Sequence, residues 1–203
     1  MNLPNRLTVI RIILIPFILF CMLPLADSLT GWANFTTGLA GSISALVLFS
    51  LASLTDLFDG RIARREGLVT KMGIFLDPIA DKLLVISVLT AFVQRGRIHA
   101  FIVVIVIARE LAVTGIRLLG AEQGKVIASS YFGKCKTVTQ MIAIIWCMLE
   151  PIIMHFMDKS MLMLRDTWLY HVGNVLIAIA VIMTVLSGLD YAKKNKDLFK
   201  DVG

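Results

Sequence analysis

Long apolar stretches separated by short polar segments make up most of this chain. Six of these stretches approach the roughly 20 residues that a helix needs to cross the hydrocarbon core of a bilayer. They lie near residues 8–25, 36–58, 74–94, 98–119, 136–157 and 168–189. Because continuous apolar runs differ from the alternation of barrel strands, the pattern predicts helices. We therefore predict an all-α polytopic membrane protein with six transmembrane helices, in which residues 1–203 form a single domain.

The composition agrees with a membrane protein, since 58% of the residues are hydrophobic and the mean hydropathy is +0.84. The first apolar run follows Arg6 and Arg11, so a signal peptide is an alternative interpretation. No small-residue cleavage site follows the run, and we expect it to be a span. Cys21, Cys135 and Cys147 have no metal-ligand spacing, and we expect reduced thiols.

The distribution of lysine and arginine indicates the orientation of the spans. Most of these residues lie near the N-terminus, after the second and fourth spans, and in the C-terminal tail. The opposite side has only Arg95, Arg97, Lys159 and Arg165. The positive-inside rule therefore predicts that both termini are cytoplasmic. The net charge of +6 then faces one membrane surface, where it attracts anionic headgroups and phosphorylated substrates, and it does not indicate nucleic acid binding.

Four aspartates interrupt the apolar pattern at regular spacing. The residues concerned are Asp56, Asp59, Gly60 and Ala63 in one segment, and Gly73, Asp77 and Asp81 in the next. Within each segment the spacing of three or four residues places them on one face of a helix. Ionisable side chains inside a membrane are costly and mark functional sites. Two facing helices would gather four carboxylates, whose oxygens suit a hard cation such as Mg²⁺.

Each aspartate also has a structural explanation. Asp77 precedes Pro78, so the pair could form an N-cap and first helical residue; a helix that begins earlier would instead be kinked by the proline. Asp56 and Asp59 lie at the end of the second predicted span, where the helix dipole disfavours negative charge. Either could pair with Arg61, Arg64 or Arg65. These explanations do not account for all four aspartates on two converging faces.

Small residues beside the aspartates indicate the class of ligand. Gly60, Ala63 and Gly73 would let a diphosphate approach the helix backbone, and Arg64 would meet a phosphate. Two metal ions could clamp a pyrophosphate and stabilise charge on its attacking and leaving oxygens. The pattern therefore favours phosphoryl-type transfer at the inner membrane surface. An ion-coupled transporter is the alternative, but its site would lie near the bilayer midplane, commonly between inverted repeats.

Basic residues near the cytoplasmic ends of the fourth and fifth spans could bind an anionic co-substrate. The candidates are Arg109, Arg117, Lys134 and Lys136. Arg109 follows the apolar run 102–108, and we expect no pairing with Glu110, because adjacent residues do not share a helix face. Arg109 could instead snorkel to the interface or pair with an aspartate of the site, and Lys134 and Lys136 could be ordinary positive-inside residues.

The segment from Asp56 to Asp81 resembles the CDP-alcohol phosphotransferase family. The family pattern is D-x-x-D-G-x-x-A-R, eight residues, then G-x-x-x-D-x-x-x-D, and every fixed position is matched. Residues 3–11, 73–82, 108–110 with Arg117, and 133–137 are similar to the branch that transfers a phosphatidyl group from CDP-diacylglycerol to glycerol 3-phosphate. The resemblance implies a homodimer with six transmembrane helices in a bacterial inner (cytoplasmic) membrane, with its active site at the cytoplasmic face.

The resemblance also implies roles for individual residues. Asp56, Asp59, Asp77 and Asp81 would hold one or two Mg²⁺ or Mn²⁺ ions. Asp81 would be the general base that takes the proton from the sn-1 hydroxyl of glycerol 3-phosphate. The CDP contacts would be Asn5, Thr55, Asp56, Gly60, Ala63, Arg64 and Gly73. Serine, inositol phosphate and phosphatidylglycerol are alternative acceptors, which the shared motif does not distinguish from glycerol 3-phosphate.

Overall fold

The computed structural model describes residues 3–24, 30–66, 71–125, 127–128, 130–157 and 162–197; for residues 3–6, 56–66, 71–75 and 162–167 it describes the backbone alone. Within these ranges the chain forms helices and no strand. The helices are α1 (Leu3–Met22), α2 (Thr30–Thr37), α3 (Leu39–Glu66), α4 (Lys71–Gln94), α5 (Ala100–Glu122), α6 (Tyr131–Phe156) and α7 (Leu162–Lys194). The predicted all-α class is confirmed, and each predicted span largely coincides with a long helix.

The membrane-spanning character of the helices differs along the chain. By length and composition, Tyr131–Phe156 and Trp168–Lys194 can each cross a bilayer, and Thr30–Thr37 with Leu39–Thr55 would add a third span if the bent pair is one unit. In α1, the apolar part among the residues whose side chains are described is Leu7–Met22. Helices α4 and α5 carry several charged residues within their apolar sequence. The structure therefore supports a membrane protein, and the count of six spans stays a prediction.

Residues 1–98 and 148–157 form one compact unit. In this unit α1 packs against both α3 and α4. Its buried face repeats every three or four residues, as one side of a helix must, and consists of Thr8, Arg11, Ile15, Ile18 and Met22. One end of this face is therefore polar and the remainder is apolar.

Helices α2 and α3 meet at an angle of 60°. Near this bend the backbones approach closely: a Cβ added to Gly41 would lie 2.4 Å from the Phe35 carbonyl oxygen and 3.0 Å from that of Cys21. Glycine at this position thus allows α3 to pack directly against α2 and the end of α1. The sequence pattern predicted one continuous span from residue 36 and did not predict the bend.

A buried ion pair lies in the same unit. Arg97 Nε donates to Glu150 Oε2 at 2.8 Å, and the two side chains are 12% and 6% exposed. The pair connects the turn after α4 to the last two turns of α6. Each charge offsets the desolvation of the other, so removing one partner would take a counter-charge away from a buried group.

Residues 99–147 and 158–203 form the second unit, in which α5 packs against α7. Tyr191 is 2% exposed and lies against Val113 and Ile116. Trp146 Nε1 donates to the carbonyl oxygen of Leu169 at 3.3 Å, which joins α6 to α7.

Candidate active site

The aspartate motif lies on two helices, as its spacing predicts. Asp56 and Asp59 are on α3, and Asp77 and Asp81 are on α4. Helix α3 continues to Glu66, so Asp59 lies about two turns before its end. The predicted position of Asp56 and Asp59 at a helix C-terminus was therefore wrong. The helix dipole acts mainly within the last turn, and it opposes these carboxylates less than we expected.

Of the two interpretations of Asp77 and Pro78, the N-cap was wrong and the earlier start of the helix is observed. Helix α4 begins at Lys71, and Pro78 lies inside it. Proline has no N–H to donate to the carbonyl four residues earlier, which usually favours a helix boundary. The packing of α4 against α1 and the need to satisfy backbone groups within a membrane both favour a continued helix. Asp77 and Asp81 consequently lie one turn apart on one helical face.

The carboxylate of Asp77 has a defined partner. Thr8 Oγ1 donates to Asp77 Oδ1 at 2.5 Å, although the two residues are 69 positions apart. Asp77 is half-buried and Asp81 is exposed. Among the residues whose side chains are described, no group of three or more His, Cys, Asp or Glu is placed to hold a metal ion. The side chains of Asp56 and Asp59 lie outside that description, so the four-carboxylate site stays a prediction.

The side chains of Asp77 and Asp81 are described, so their donor atoms can be compared with those preferred by the metal that the family resemblance implies. Both Asp77 and Asp81 offer oxygen atoms, the donors that Mg²⁺ and Mn²⁺ prefer. Their spacing of one helical turn lets both face the same ligand. The available donors therefore fit a divalent cation.

Most predicted CDP contacts lie outside the described side chains. These are Asn5, Asp56, Gly60, Ala63, Arg64 and Gly73, whose backbones are helical. Thr55 is described, and its hydroxyl donates to the Ala52 carbonyl oxygen at 2.8 Å within α3. Its proton is therefore engaged, while its oxygen can still accept a hydrogen bond.

Two of the basic candidates, Arg109 and Lys136, lie in a buried charge cluster of the second unit together with Glu110 and Ser187. Glu110 Oε1 lies 3.1 Å from Arg109 Nη1 and 2.5 Å from Lys136 Nζ, and these three side chains are 8–16% exposed. Arg109 Nη2 also donates to Ser187 Oγ. The expectation that Arg109 would not pair with Glu110 was wrong. Adjacent Cβ atoms diverge, but both side chains are long enough to turn toward the same space.

The Arg109 side chain lies close to two glycines, one on α6 and one on α7. A Cβ added to Gly133 would lie 3.5 Å from Arg109 Nη2, and one added to Gly188 would lie 3.4 Å from Arg109 Cγ. Residues of α6 and α7 thus lie against the Arg109 side chain, and among the described residues its buried Nε has no hydrogen-bond partner. An unsatisfied donor in a buried site is costly unless a ligand uses it.

The other two basic candidates are in different environments. Arg117 Nη2 donates to the Tyr191 hydroxyl at 2.7 Å, and its guanidinium carbon is 5.5 Å from the centre of that ring. The Tyr191 hydroxyl donates to the Ala128 carbonyl oxygen at 2.9 Å. Lys134 is exposed. The structure thus brings Arg109 and Lys136 together and places Arg117 against a separate anchor.

Several polar residues were missed in the sequence analysis. Glu110 connects two of the predicted phosphate ligands, and Thr8 contacts a predicted metal ligand. Arg11 is 1% exposed and donates through Nε to the Ala52 carbonyl oxygen at 3.2 Å. The spacing of Thr8 and Arg11 on the same face as Ile15 was a usable signal, because polar residues on a buried helix face need partners.

Comparison with known proteins identifies the group to which this site belongs. The profile of the CDP-alcohol phosphatidyltransferase family matches residues 1–186. This chain belongs to that family. The matched range contains all four aspartates and all four basic candidates. As a member of the CDP-alcohol phosphatidyltransferases the chain is a membrane-associated transferase of phospholipid biosynthesis, and the transporter alternative is discarded.

Curated relatives in this family match nearly the whole chain. The CDP-diacylglycerol–glycerol-3-phosphate 3-phosphatidyltransferase of Bacillus subtilis is 37% identical over 203 residues, covering 98% of this chain and 97% of the relative. The proteins of the same name from Shigella flexneri and Escherichia coli are 35% and 34% identical over 197 residues, covering 94% of this chain and 92% of each relative.

Proposed function

We propose that this enzyme transfers the phosphatidyl group of CDP-diacylglycerol to the sn-1 hydroxyl of glycerol 3-phosphate, producing phosphatidylglycerophosphate and CMP. The observation that carries the proposal is the likeness, over 94–98% of this chain, to relatives named for this reaction. The hydroxyl oxygen forms a bond to the β-phosphorus of the donor. The bond from that phosphorus to the CMP oxygen breaks, and the hydroxyl proton passes to a base.

The aspartate motif binds the donor in this proposal. Asp56, Asp59, Asp77 and Asp81 would hold one or two Mg²⁺ or Mn²⁺ ions, which supply charge neutralisation at the diphosphate when bound. Asp56, Gly60, Ala63 and Arg64 contact CDP, with Asn5, Thr55 and Gly73 beside them. The oxygen donors of Asp77 and Asp81, one turn apart on α4, support this assignment.

Asp81 acts as the general base. Asp77 is half-buried and accepts a hydrogen bond from Thr8, whereas Asp81 on the next turn is exposed and more accessible to an acceptor hydroxyl. A base must reach hydrogen-bond distance of the proton that it takes. The different surroundings of Asp77 and Asp81 therefore favour Asp81 for proton transfer and Asp77 for binding.

The phosphate of glycerol 3-phosphate is held by basic residues of the second unit. Arg109 and Lys136 are the main ligands, because they lie in one buried cluster and Arg109 has an unused buried donor. Arg117, oriented by Tyr191, and Lys134 complete the predicted set. Charge-assisted bonds from arginine to phosphate are short and can be bidentate, which would fix the orientation of the acceptor.

The finer organisation is proposed from the sequence and the family. We infer six transmembrane helices in a single domain, both termini in the cytoplasm, and an active site at the cytoplasmic face of a bacterial inner membrane. Lysine and arginine asymmetry supports the orientation. A homodimer is the proposed assembly.

The function is tested by turnover of the purified full chain in detergent micelles. Radiolabelled glycerol 3-phosphate should enter the lipid fraction only when CDP-diacylglycerol and Mg²⁺ are present, with one CMP released for each lipid formed. Asp81→Asn serves as the inactive control. Labelled serine, inositol phosphate or phosphatidylglycerol entering the product instead would retain the family chemistry and refute the assigned acceptor.

A further inference from the structure

Helix α1 carries two buried polar residues that the proposed reaction does not use. Thr8 is 0% exposed and Arg11 is 1% exposed. They lie three residues apart at one end of the buried face that continues with Ile15 and Ile18. Burying a hydroxyl and a guanidinium costs free energy unless both form hydrogen bonds, so their partners indicate why α1 contains them.

Thr8 contacts the aspartate motif directly. Its Oγ1 donates to Asp77 Oδ1, and the hydroxyl has no exposed surface. A hydrogen bond to one carboxylate oxygen restricts rotation of the Asp77 side chain and leaves Oδ2 with a defined direction. Groups that bond to a metal-binding carboxylate in this way orient it before the metal binds.

Arg11 contacts the other helix of the motif. Its Nε donates to the Ala52 carbonyl oxygen at 3.2 Å, and Thr55 Oγ1 donates to the same oxygen at 2.8 Å. Ala52 lies four residues before Asp56, one helical turn away. Through Thr8 and Arg11, α1 therefore contacts both of the helices that carry the aspartates.

We propose that Thr8 is a positioning residue for the aspartate site, holding the Asp77 carboxylate in its metal-binding orientation while Arg11 anchors α3 beside it. This inference rests on the proposed role of the aspartates in metal binding. Thr8 does not touch the reacting atoms and acts through Asp77. The divalent ion is the ligand concerned, and the site is built from three helices, α1, α3 and α4.

The test measures metal binding without turnover. Mn²⁺ is titrated into the purified full chain in micelles, without either substrate, and free Mn²⁺ is followed by electron paramagnetic resonance. Thr8→Val keeps the shape of the side chain and removes the donor, and it should raise the Kd for Mn²⁺ about tenfold or more. Thr8→Ser keeps the hydroxyl and should restore binding. Thr90→Val is the matched control, since Thr90 is exposed on α4 and donates only within its own helix, to Ile86.

A double-mutant cycle separates positioning from general destabilisation. In an Asp77→Asn background, Thr8→Val should have no further effect on Mn²⁺ binding. If Thr8→Val does not fold, Thr8→Ala is compared with Thr8→Ser. The proposal is overturned if the variant without a hydroxyl binds Mn²⁺ with a Kd within about twofold of the wild type. It is also overturned if Thr8→Val weakens Mn²⁺ binding equally with and without the Asp77 carboxylate. Since no acceptor is present, a failure of glycerol 3-phosphate turnover leaves this result unaffected.

Discussion

Replacing Glu110 with glutamine should destabilise the substrate-free protein. The Glu110 carboxylate lies 3.1 Å from Arg109 and 2.5 Å from Lys136, and all three side chains are at most 16% exposed. Glutamine keeps the shape and removes the charge, so two buried cations lose their shared counter-ion. Removing one partner of a buried ion pair costs about 3–5 kcal/mol, and glutamine still accepts one hydrogen bond, so we expect about 3 kcal/mol. In a chain of this size that lowers the melting temperature by about 6–12 °C.

The same variant should be stabilised more strongly by the acceptor. The three ionised side chains sum to one positive charge with Glu110 and to two with glutamine. If Arg109 and Lys136 bind the phosphate, its negative charge replaces the one that the variant lacks. If glycerol 3-phosphate stabilises the variant by about 1 kcal/mol more than it stabilises the wild type, the rise in melting temperature that it produces should be about 2–4 °C larger.

The assay compares melting temperatures of purified wild type and Glu110→Gln in micelles over a titration of glycerol 3-phosphate, without CDP-diacylglycerol. Asp190→Asn is the control, because it also removes a carboxylate from an ion pair of the second unit. Its partner Lys194 is 62% exposed, so solvent screens this pair and the loss of stability should be much smaller than in Glu110→Gln. A thermal shift in Glu110→Gln no larger than that of the wild type would show that the phosphate binds elsewhere. Unchanged stability without the ligand would refute the counter-ion role.

Three further predictions address the donor site, the acceptor site and the fold. EDTA, and separately Asp77→Asn, should reduce turnover at least about a hundredfold; near-normal rates in chelated buffer would exclude a metal role. Arg109→Gln should raise the KM for glycerol 3-phosphate about tenfold to a hundredfold and leave the KM for CDP-diacylglycerol unchanged. Arg109→Lys should have an intermediate effect, and equal effects on both KM values would indicate a structural role. Gly41→Ala should lower stability by about 1–3 kcal/mol, measured by thermal unfolding, and an unchanged melting temperature would contradict the close helix contact.

The positions of the helices could be predicted because long apolar runs have few alternatives to helix in a membrane. Their ends could not be predicted in the same way. Helix α3 continues through the charged residues up to Glu66, and α4 begins before Pro78, since hydropathy reports where lipid ends and not where the backbone hydrogen bonds end. The bend between α2 and α3 depends on a close backbone contact at Gly41, which periodicity does not encode.

The helix face shared by the predicted site residues was more predictable than their partners. The spacing of Asp77 and Asp81 on one face follows from helical geometry, and α4 is helical there. The contact of Thr8 with Asp77 joins residues 69 positions apart and depends on how two helices pack. The Arg109 and Glu110 pair shows the same limit, because side-chain length and shared burial with Lys136 outweighed the divergence of adjacent Cβ atoms.

The polar end of α1 has a consequence for the surrounding lipid. On the buried face of this helix, Met22 lies 14 residues after Thr8, about 21 Å along the axis at 1.5 Å per residue. If α1 crosses the bilayer, as the sequence predicts, Thr8 and the aspartate that it contacts lie close to one surface of a hydrocarbon core about 30 Å thick. The length of the lipid chains would then affect the enzyme by altering the depth at which a diphosphate headgroup meets its carboxylates.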